Sequence, residues 1–197
     1  MTLRLERLAT RLETERLSLR AFAPSDATSL LRVVDANRAH LERWLVWPTR
    51  MTTARAIAAW AERPYDASEA YRLGIYERTS GELVGAAGLK VRSVDPAGAW
   101  RWVDIGYWLA AAALGSGYAT EAARRLAIHA FDDLESPRLE IRTEPENTPS
   151  IRVAERLGFR HEGTLRDVGH RRGGPIDLAV FALIGSERPR LDRPPAP

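Results

Sequence analysis

The chain of 197 residues contains no cysteine. Disulfide bonds, thiolate metal ligands and a cysteine nucleophile are therefore excluded. Only four histidines are present, and none stands at a metal-ligand spacing from another. No apolar run approaches the roughly 20 residues of a membrane-spanning helix, and the charged N-terminus lacks the apolar block of a secretory signal. These absences predict a cytoplasmic protein that binds no metal and does not contact a membrane.

Lysine is almost absent as well. Lys90 is the only one, so arginine supplies nearly all of the positive charge. The formal net charge is only +3 at pH 7, and acidic and basic residues alternate without long runs of one sign. A uniformly basic face, which nucleic-acid binding requires, is therefore not expected.

The apolar residues that are present follow two periodicities. Alternation predicts strands at 15–22, 70–78, 82–94, 99–109, 138–144, 159–169 and 177–184. Helical spacing predicts helices at 24–34, 39–47, 52–63, 118–134 and 147–158. This order predicts one mixed α/β domain over residues 1–185, with a mostly antiparallel sheet of about seven strands flanked by helices. Residues 186–197 are rich in proline and charge, so we expect them to be disordered.

A glycine turn, "LGSGYATEA" at 114–122, joins the strand predicted at 99–109 to the helix predicted at 118–134. It is no P-loop, since lysine does not follow the last glycine. It departs from the dinucleotide fingerprint as well, because Thr120 occupies the place of the third glycine. Gly115 and Gly117 would let backbone amides at the helix N-terminus cradle a diphosphate, because no Cβ intervenes. The turn alone is equally compatible with a tight strand-to-helix connection that binds nothing.

Five segments carry a resemblance to a known family. They are "ETERLSLR" at 13–20, "DIGYWL" at 104–109, "GSGYATEA" at 115–122, "PENTPSIRVAERLGF" at 145–159 and "EGTLRD" at 162–167. In this order they resemble the GNAT superfamily of N-acetyltransferases, and within it the RimJ/RimL type that acetylates the N-termini of ribosomal proteins. The resemblance spans nearly the whole chain. It implies the GNAT fold, acetyl-CoA or another acyl-CoA as co-substrate, no metal, and a homodimer as a common assembly.

The resemblance assigns the cofactor-binding residues. It implies that the strand holding "DIGYWL" splays from "RLEIRTE" and that backbone amides near Trp108 and Leu109 bind the pantetheine arm and the acyl oxygen. One departure occurs at Leu114, where the family has Arg or Gln, so that position supplies a main-chain amide and no side-chain donor. The implied set is Trp108, Leu109, Leu114, Gly115, Ser116, Gly117, Tyr118, Ala119, Thr120, Asn147 and Ser150.

Two residues are candidates for catalysis. Related enzymes carry a carboxylate near Asp104 that acts as general base, and the alternative is a charge that pairs with an arginine. Ser150 would donate a hydrogen bond to the departing thiolate, and the alternative is a local helix cap. Many family members use a tyrosine seven residues after the asparagine for this purpose, but Ala154 stands there in this chain.

The acceptor site is expected in the early helices. His40 and Trp44 lie on one helical face, where such a pair is either core or recognition surface. The resemblance places them over the acceptor channel, together with Trp47, Trp100 and Trp102. It implies a primary amine as acceptor, with a protein N-terminus as the first hypothesis. A small-molecule amine such as an antibiotic, polyamine or amino acid, and a non-catalytic acyl-CoA-binding module, remain as alternatives.

Overall fold

The computed structural model describes residues 3–61, 70–93, 101–171 and 173–192. Within these ranges the chain forms eight strands and five α-helices, joined by short 3-10 turns. The strands are β1 (Arg11–Glu13), β2 (Leu17–Arg20), β3 (Ala70–Glu77), β4 (Leu83–Ser93), β5 (Arg101–Leu109), β6 (Arg138–Thr143), β7 (Arg160–Arg171) and β8 (Gly174–Ile184). The helices are α1 (Ala27–Ala36), α2 (Arg38–Glu42), α3 (Ala54–Ala61), α4 (Tyr118–Asp132) and α5 (Thr148–Arg156).

All eight strands belong to one sheet in the order β1-β2-β3-β4-β5-β6-β8-β7. The pair β5–β6 is parallel, and every other neighbouring pair of the described strands is antiparallel. Helix α4 makes the crossover that a parallel pair requires. The predicted mixed, mostly antiparallel α/β fold is therefore confirmed, and the prediction missed only the three-residue strand β1.

Apolar clusters cover both faces of the sheet. The larger cluster joins α4 and α5 to one face, with fully buried residues such as Leu126, Leu139 and Leu183. The smaller cluster joins α1 and α3 to the other face, around Leu30 and Trp108. Strand β5 contributes to both clusters because its successive side chains point to opposite faces.

His129 is a packing residue, as its apolar helical surroundings suggest. Its ring is 1% exposed and accepts a hydrogen bond from the backbone N–H of Ala9 at 3.3 Å. The other ring nitrogen lies 2.7 Å from the carboxylate of Asp133, one helical turn further on. These contacts join the N-terminal segment to α4, so the role of His129 is structural.

The expected disorder from residue 186 onwards is wrong for the described part of the tail. Gly185–Asp192 form a 3-10 segment in which Leu191 is 1% exposed. Arg188 binds the carboxylate of Asp132 at the end of α4 with hydrogen bonds of 2.9 and 2.6 Å. Glu187 forms a second ion pair, with Arg160 at 2.9 Å. A buried leucine and these ion pairs thus order a segment whose composition alone predicts disorder. Residues 193–197 lie outside the described residues.

No helix of the described residues is long and apolar enough to span a lipid bilayer.

The close approach of β3 and β4 generates a stability prediction. A Cβ on Gly88 would lie 2.1 Å from the backbone oxygen of Tyr71, whereas a Cβ on Gly106 would meet no atom within 4 Å. We expect Gly88→Ala to lower the free energy of unfolding by about 3 kcal/mol, because the strands must separate. Gly106→Ala is the matched control and should change it by less than about 0.5 kcal/mol. Urea unfolding measures both, and equal values would contradict the packing at Gly88.

Candidate active site

Strands β5 and β6 diverge after a short contact. They pair only at Val103 with Leu139 and at Asp104 with Glu140, although β5 continues to Leu109 and β6 to Thr143. The expected splay of the two strands is confirmed. Beyond Asp104 the β5–β6 ladder ends, so the facing backbone groups of β5 are offered to another partner. We call this point the fork.

A cavity of about 300 Å³ opens at the fork. Its volume lies at the lower end of the range typical of small-molecule sites. The wall is formed by β5, β6, α2, the start of α5 and β8. It comprises His40, Leu41, Trp44, Leu45, Ile105, Gly106, Tyr107, Trp108, Leu109, Leu114, Ala119, Ile141, Arg142, Thr143, Glu144, Asn147, Pro149, Ser150, Val153, Ile176 and Leu178.

The glycine turn lies at the rim of the cavity. Leu114 and Ala119 belong to the wall, and the residues between them connect the two. Gly115 and Gly117 both have φ of +79°, a conformation that side chains rarely adopt. Gly117 is the N-cap of α4 and makes no side-chain cap, so the first amides of the helix remain available to an anion. Of the expected cofactor set, Gly115, Ser116, Gly117, Tyr118 and Thr120 stand beside the wall without forming it.

A charged contact holds the turn in place. Arg16 donates a hydrogen bond to the backbone oxygen of Ser116 at 2.9 Å and forms an ion pair with Glu121 in the first turn of α4. Glu121 also accepts from the hydroxyl of Thr14 at 2.6 Å. Burial opposes the charge on Glu121, yet these donors hold the pKa of its carboxyl below the usual value. The turn is thereby fixed, with a guanidinium close to it.

Asn147 and Ser150 begin α5 at the cavity wall. Asn147 is the N-cap, and its side-chain oxygen accepts from the backbone N–H of Ser150 at 3.4 Å. Pro149 occupies the first turn, where its missing N–H costs nothing. Because Asn147 makes the cap, the hydroxyl of Ser150 is left for another contact. It lies 3.0 Å from the hydroxyl of Tyr107.

Tyr107 is a site residue that sequence reasoning missed. Its side chain lines the cavity from β5, and burial raises the pKa of its hydroxyl to about 12. The alternation of β5 places Tyr107 on the face opposite Asp104, and that signal was available. Which helix covers that face could not be read from the strand alone.

Asp104 does not belong to the described wall of the cavity. Its carboxylate binds Arg92, with a hydrogen bond of 2.8 Å from Nε, and Arg142 lies 3.8 Å from its other oxygen. Burial raises the pKa of the Asp104 carboxyl, and the arginines oppose that effect. This arrangement corresponds to the alternative reading of Asp104 as the partner of an arginine.

Glu140, the register partner of Asp104, completes a charged cluster at the fork. Arg138 and Arg142 both bind its carboxylate with 2.7 Å contacts. Burial disfavours its charge, but these two arginines hold the pKa of Glu140 below the usual value. Two carboxylates therefore stand side by side at the last pair of β5 and β6, each neutralised by guanidinium groups.

Two of the predicted acceptor residues line the cavity. His40 and Trp44, from α2 and the turn that follows it, are half-buried in the wall. Trp47 lies behind the wall, with its ring centroid 5.7 Å from that of Trp108. Trp102 is buried elsewhere on β5, and Trp100 lies outside the described residues.

Glu144 is a second residue that sequence reasoning missed. It is 6% exposed at the end of β6 and belongs to the cavity wall. Arg171 of β7 lies 2.8 Å from its carboxylate and also donates to the backbone oxygen of Arg43 at 2.9 Å. In sequence, Glu144 is one of two glutamates that flank a proline, and neither stands at a catalytic spacing. Only the fold shows that it reaches the cavity and that Arg171 of β7 pairs with it. No cluster of metal-ligating side chains was found in the described part of the chain.

Comparison with known families agrees with this geometry. Residues 16–160 match the model of the family described as "Acetyltransferase (GNAT) domain". The chain belongs to this family, and it is an N-acetyltransferase by class. The resemblance found in the sequence is thus confirmed.

Individual relatives support the same assignment. A protein of Bacillus licheniformis named "Uncharacterized N-acetyltransferase p20" is 31% identical over 89% of this chain and 97% of its own. The ribosomal-protein-serine acetyltransferase of Escherichia coli is 27% identical over 87% of this chain and 94% of its own. The solved structure of Mycobacterium smegmatis RimJ in complex with CoA-disulfide has a TM-score of 0.76 at 30% identity. It covers 89% of this chain and 86% of that one.

Substitution of Asp104 can distinguish a general base from a carboxylate that only pairs with an arginine. We expect Asp104→Asn to lower the free energy of unfolding by about 1–3 kcal/mol, because Arg92 loses the charge of its buried partner. The maximal rate of acetyl transfer should fall less than about fivefold, and Arg92→Met should behave alike. General base catalysis contributes about 10²–10⁴-fold. A loss of that size in Asp104→Asn, absent from Arg92→Met, would make Asp104 the base.

Proposed function

We propose that this protein transfers the acetyl group of acetyl-CoA to a primary amine, and that the amine is the N-terminal α-amine of a protein. The observation that carries the proposal is the cavity at the fork. It joins the glycine turn, the Asn147–Ser150 helix start and the His40–Trp44 face in one continuous space. A donor and an acceptor can therefore meet there.

The residues present fit a coenzyme A ester. Gly115 and Gly117 have no Cβ and positive φ, and the uncapped amides of α4 begin beside them, as a diphosphate requires. The edge of β5 from Ile105 to Leu109 faces the cavity and would hold the amide groups of the pantetheine arm. Leu114 would contribute only its main-chain amide, without a charge for the diphosphate.

The chain contributes positioning and electrostatic stabilisation to the reaction. Acetyl-CoA supplies the activated acetyl group. The nitrogen–carbon bond forms as the carbon–sulfur bond breaks, the amine gives its proton to solvent, and the sulfur leaves as a thiolate. Backbone amides near Trp108 and Leu109 would bind the acyl oxygen, and the Ser150 hydroxyl would donate to the sulfur as its charge develops. Holding the two reactants together supplies much of the acceleration.

The chemistry of the wall favours an α-amine as acceptor. An α-amine has a pKa of about 7.7–8.0, so a sizeable neutral fraction exists at pH 7, whereas a lysine amine at about 10.4 needs a strong base. In the described wall the Glu144 carboxylate is already engaged by Arg171. Paired with that guanidinium it is a weak base, which suits an acceptor whose proton is easily lost. The name of the Escherichia coli relative, a ribosomal-protein-serine acetyltransferase, agrees with a protein acceptor.

The proposal is tested by thiol release from acetyl-CoA and succinyl-CoA with a panel of acceptors. The panel holds peptides with free N-termini, the same peptides with blocked N-termini and an internal lysine, a polyamine, amino acids and an aminoglycoside. We expect release only with free N-termini, and mass spectrometry should place the acyl group on the first residue. A reaction without acceptor corrects for hydrolysis.

Other outcomes would contradict the proposal in distinct ways. Turnover with the polyamine, an amino acid or the aminoglycoside alone would make the protein a small-molecule acyltransferase. No thiol release with any acceptor, together with tight acetyl-CoA binding in calorimetry, would support a non-catalytic binding module. No thiol release and no acetyl-CoA binding would overturn the assignment of the glycine turn as a diphosphate site.

The cradle generates its own prediction. Gly117→Val should weaken acetyl-CoA binding at least about tenfold, because the side chain enters the space of the diphosphate. Gly81→Val is the matched control, since Gly81 has φ of +72° and open space but lies in the β3–β4 turn. Both variants should lose about 1–2 kcal/mol of stability through backbone strain. Equal affinities in calorimetry for the wild type and Gly117→Val would overturn the cradle.

A further inference from the structure

Two hydroxyl groups from different elements meet in the cavity wall. Tyr107 comes from β5 and Ser150 from the first turn of α5, and both line the cavity. The hydroxyl oxygens are 3.0 Å apart, and the Tyr107 hydroxyl lies 3.3 Å from the backbone oxygen of Ser150. The phenol has only one proton to donate, so the hydroxyl and the backbone oxygen of Ser150 compete for it.

The two acceptors define two hydrogen-bond arrangements. In one, Tyr107 donates to the Ser150 carbonyl, and the Ser150 hydroxyl donates to the phenol oxygen. In the other, Tyr107 donates to the Ser150 hydroxyl, which then directs its own proton into the cavity. Only the second arrangement directs the Ser150 proton at an anion in the cavity, and a donor to the Ser150 oxygen makes this arrangement more favourable.

We propose that Tyr107 is the positioning residue of Ser150: its phenol proton turns from the Ser150 carbonyl to the Ser150 hydroxyl when the thiolate of coenzyme A forms. This inference rests on the proposed function, because it takes the departing sulfur as the anion. The carbon–sulfur bond breaks, the negative charge develops on sulfur, and Ser150 donates a hydrogen bond to it. Tyr107 keeps its proton throughout and is not consumed as an acid.

The surroundings of Tyr107 agree with a donor that remains protonated. Burial raises the pKa of its hydroxyl to about 12, far above the pH at which an α-amine reacts. The phenol is thus a permanent donor and a poor source of a transferred proton. Its place on β5 also differs from that of the tyrosine used by many family members, which is Ala154 in this chain.

The test is the ionisation of coenzyme A bound to the protein, which requires no acceptor. The ultraviolet absorbance of the thiolate is titrated against pH for the wild type, Ser150→Ala, Tyr107→Phe and the double variant. We expect the wild type to lower the pKa of the bound thiol below that of free coenzyme A, since a hydrogen bond stabilises the anion. Ser150→Ala should raise it by about 1, Tyr107→Phe by about half as much, and the double variant no further than Ser150→Ala.

Tyr71→Phe is the matched control. It removes a hydroxyl from another buried tyrosine whose oxygen has no hydrogen-bond partner in the described structure and which does not line the cavity. Its bound thiol should titrate like the wild type. In turnover, Tyr107→Phe should lower kcat about three- to tenfold while KM for acetyl-CoA stays unchanged, because the phenol acts only as sulfur departs.

Three results would overturn the role of Tyr107. The first is a Tyr107→Phe titration equal to that of the wild type. The second is an equal effect of Tyr107→Phe with and without Ser150, which would mean that the phenol acts on sulfur by itself. The third is a titration that Ser150→Ala leaves unchanged. Each leaves the proposed function standing if the acceptor panel shows turnover. A wild type that fails to bind coenzyme A would overturn both.

Discussion

The separation of β5 from β6 is the constraint on which the cavity depends. The strands are held together at Val103–Leu139 and Asp104–Glu140 and then part, while β5 stays bonded to β4 and β6 to β8. Each side of the opening therefore keeps a complete ladder, and the sheet tolerates the gap. The last pair carries two buried carboxylates, which repel each other unless they are neutralised. Arg92, Arg138 and Arg142 supply that neutralisation, so a charge-balanced cluster stands where the fork begins.

The fork also explains where the polar groups of the site come from. Because β5 and β6 are parallel, their carboxyl ends lie at the same edge of the sheet, which is where open α/β sheets place their ligands. The chain leaves β5 into the glycine turn and α4, and it leaves β6 into Asn147 and α5. The N-termini of α4 and α5 therefore lie at the same cavity, one with free backbone amides and the other with a serine hydroxyl.

Much of the fold could be predicted because apolar periodicity reports it directly. Seven strands and five helices were expected, whereas β1 is three residues long and too short to show a period. The tail was misjudged because its composition is polar, yet the buried Leu191 and the ion pairs Arg188–Asp132 and Glu187–Arg160 hold its described part against the domain. For the site, the motifs predict Gly115, Gly117, Asn147 and Ser150; Asn147 and Ser150 belong to the cavity wall, and the two glycines lie beside it. Tyr107 and Glu144 escaped, since their partners Ser150 and Arg171 lie on elements distant in sequence.

The sequence by itself determined the element order, the absence of cysteine chemistry, the glycine turn and the family to which the chain belongs. These properties are local: they depend on residue type and spacing along a few turns or strand repeats. Tertiary structure decided which charged groups face the cavity and which bind one another. It paired Asp104, a candidate general base, with arginines outside the described cavity wall, and it placed the hydroxyl of Tyr107 3.0 Å from that of Ser150. Such choices depend on which helix packs on which face of a strand, and no single segment contains that information.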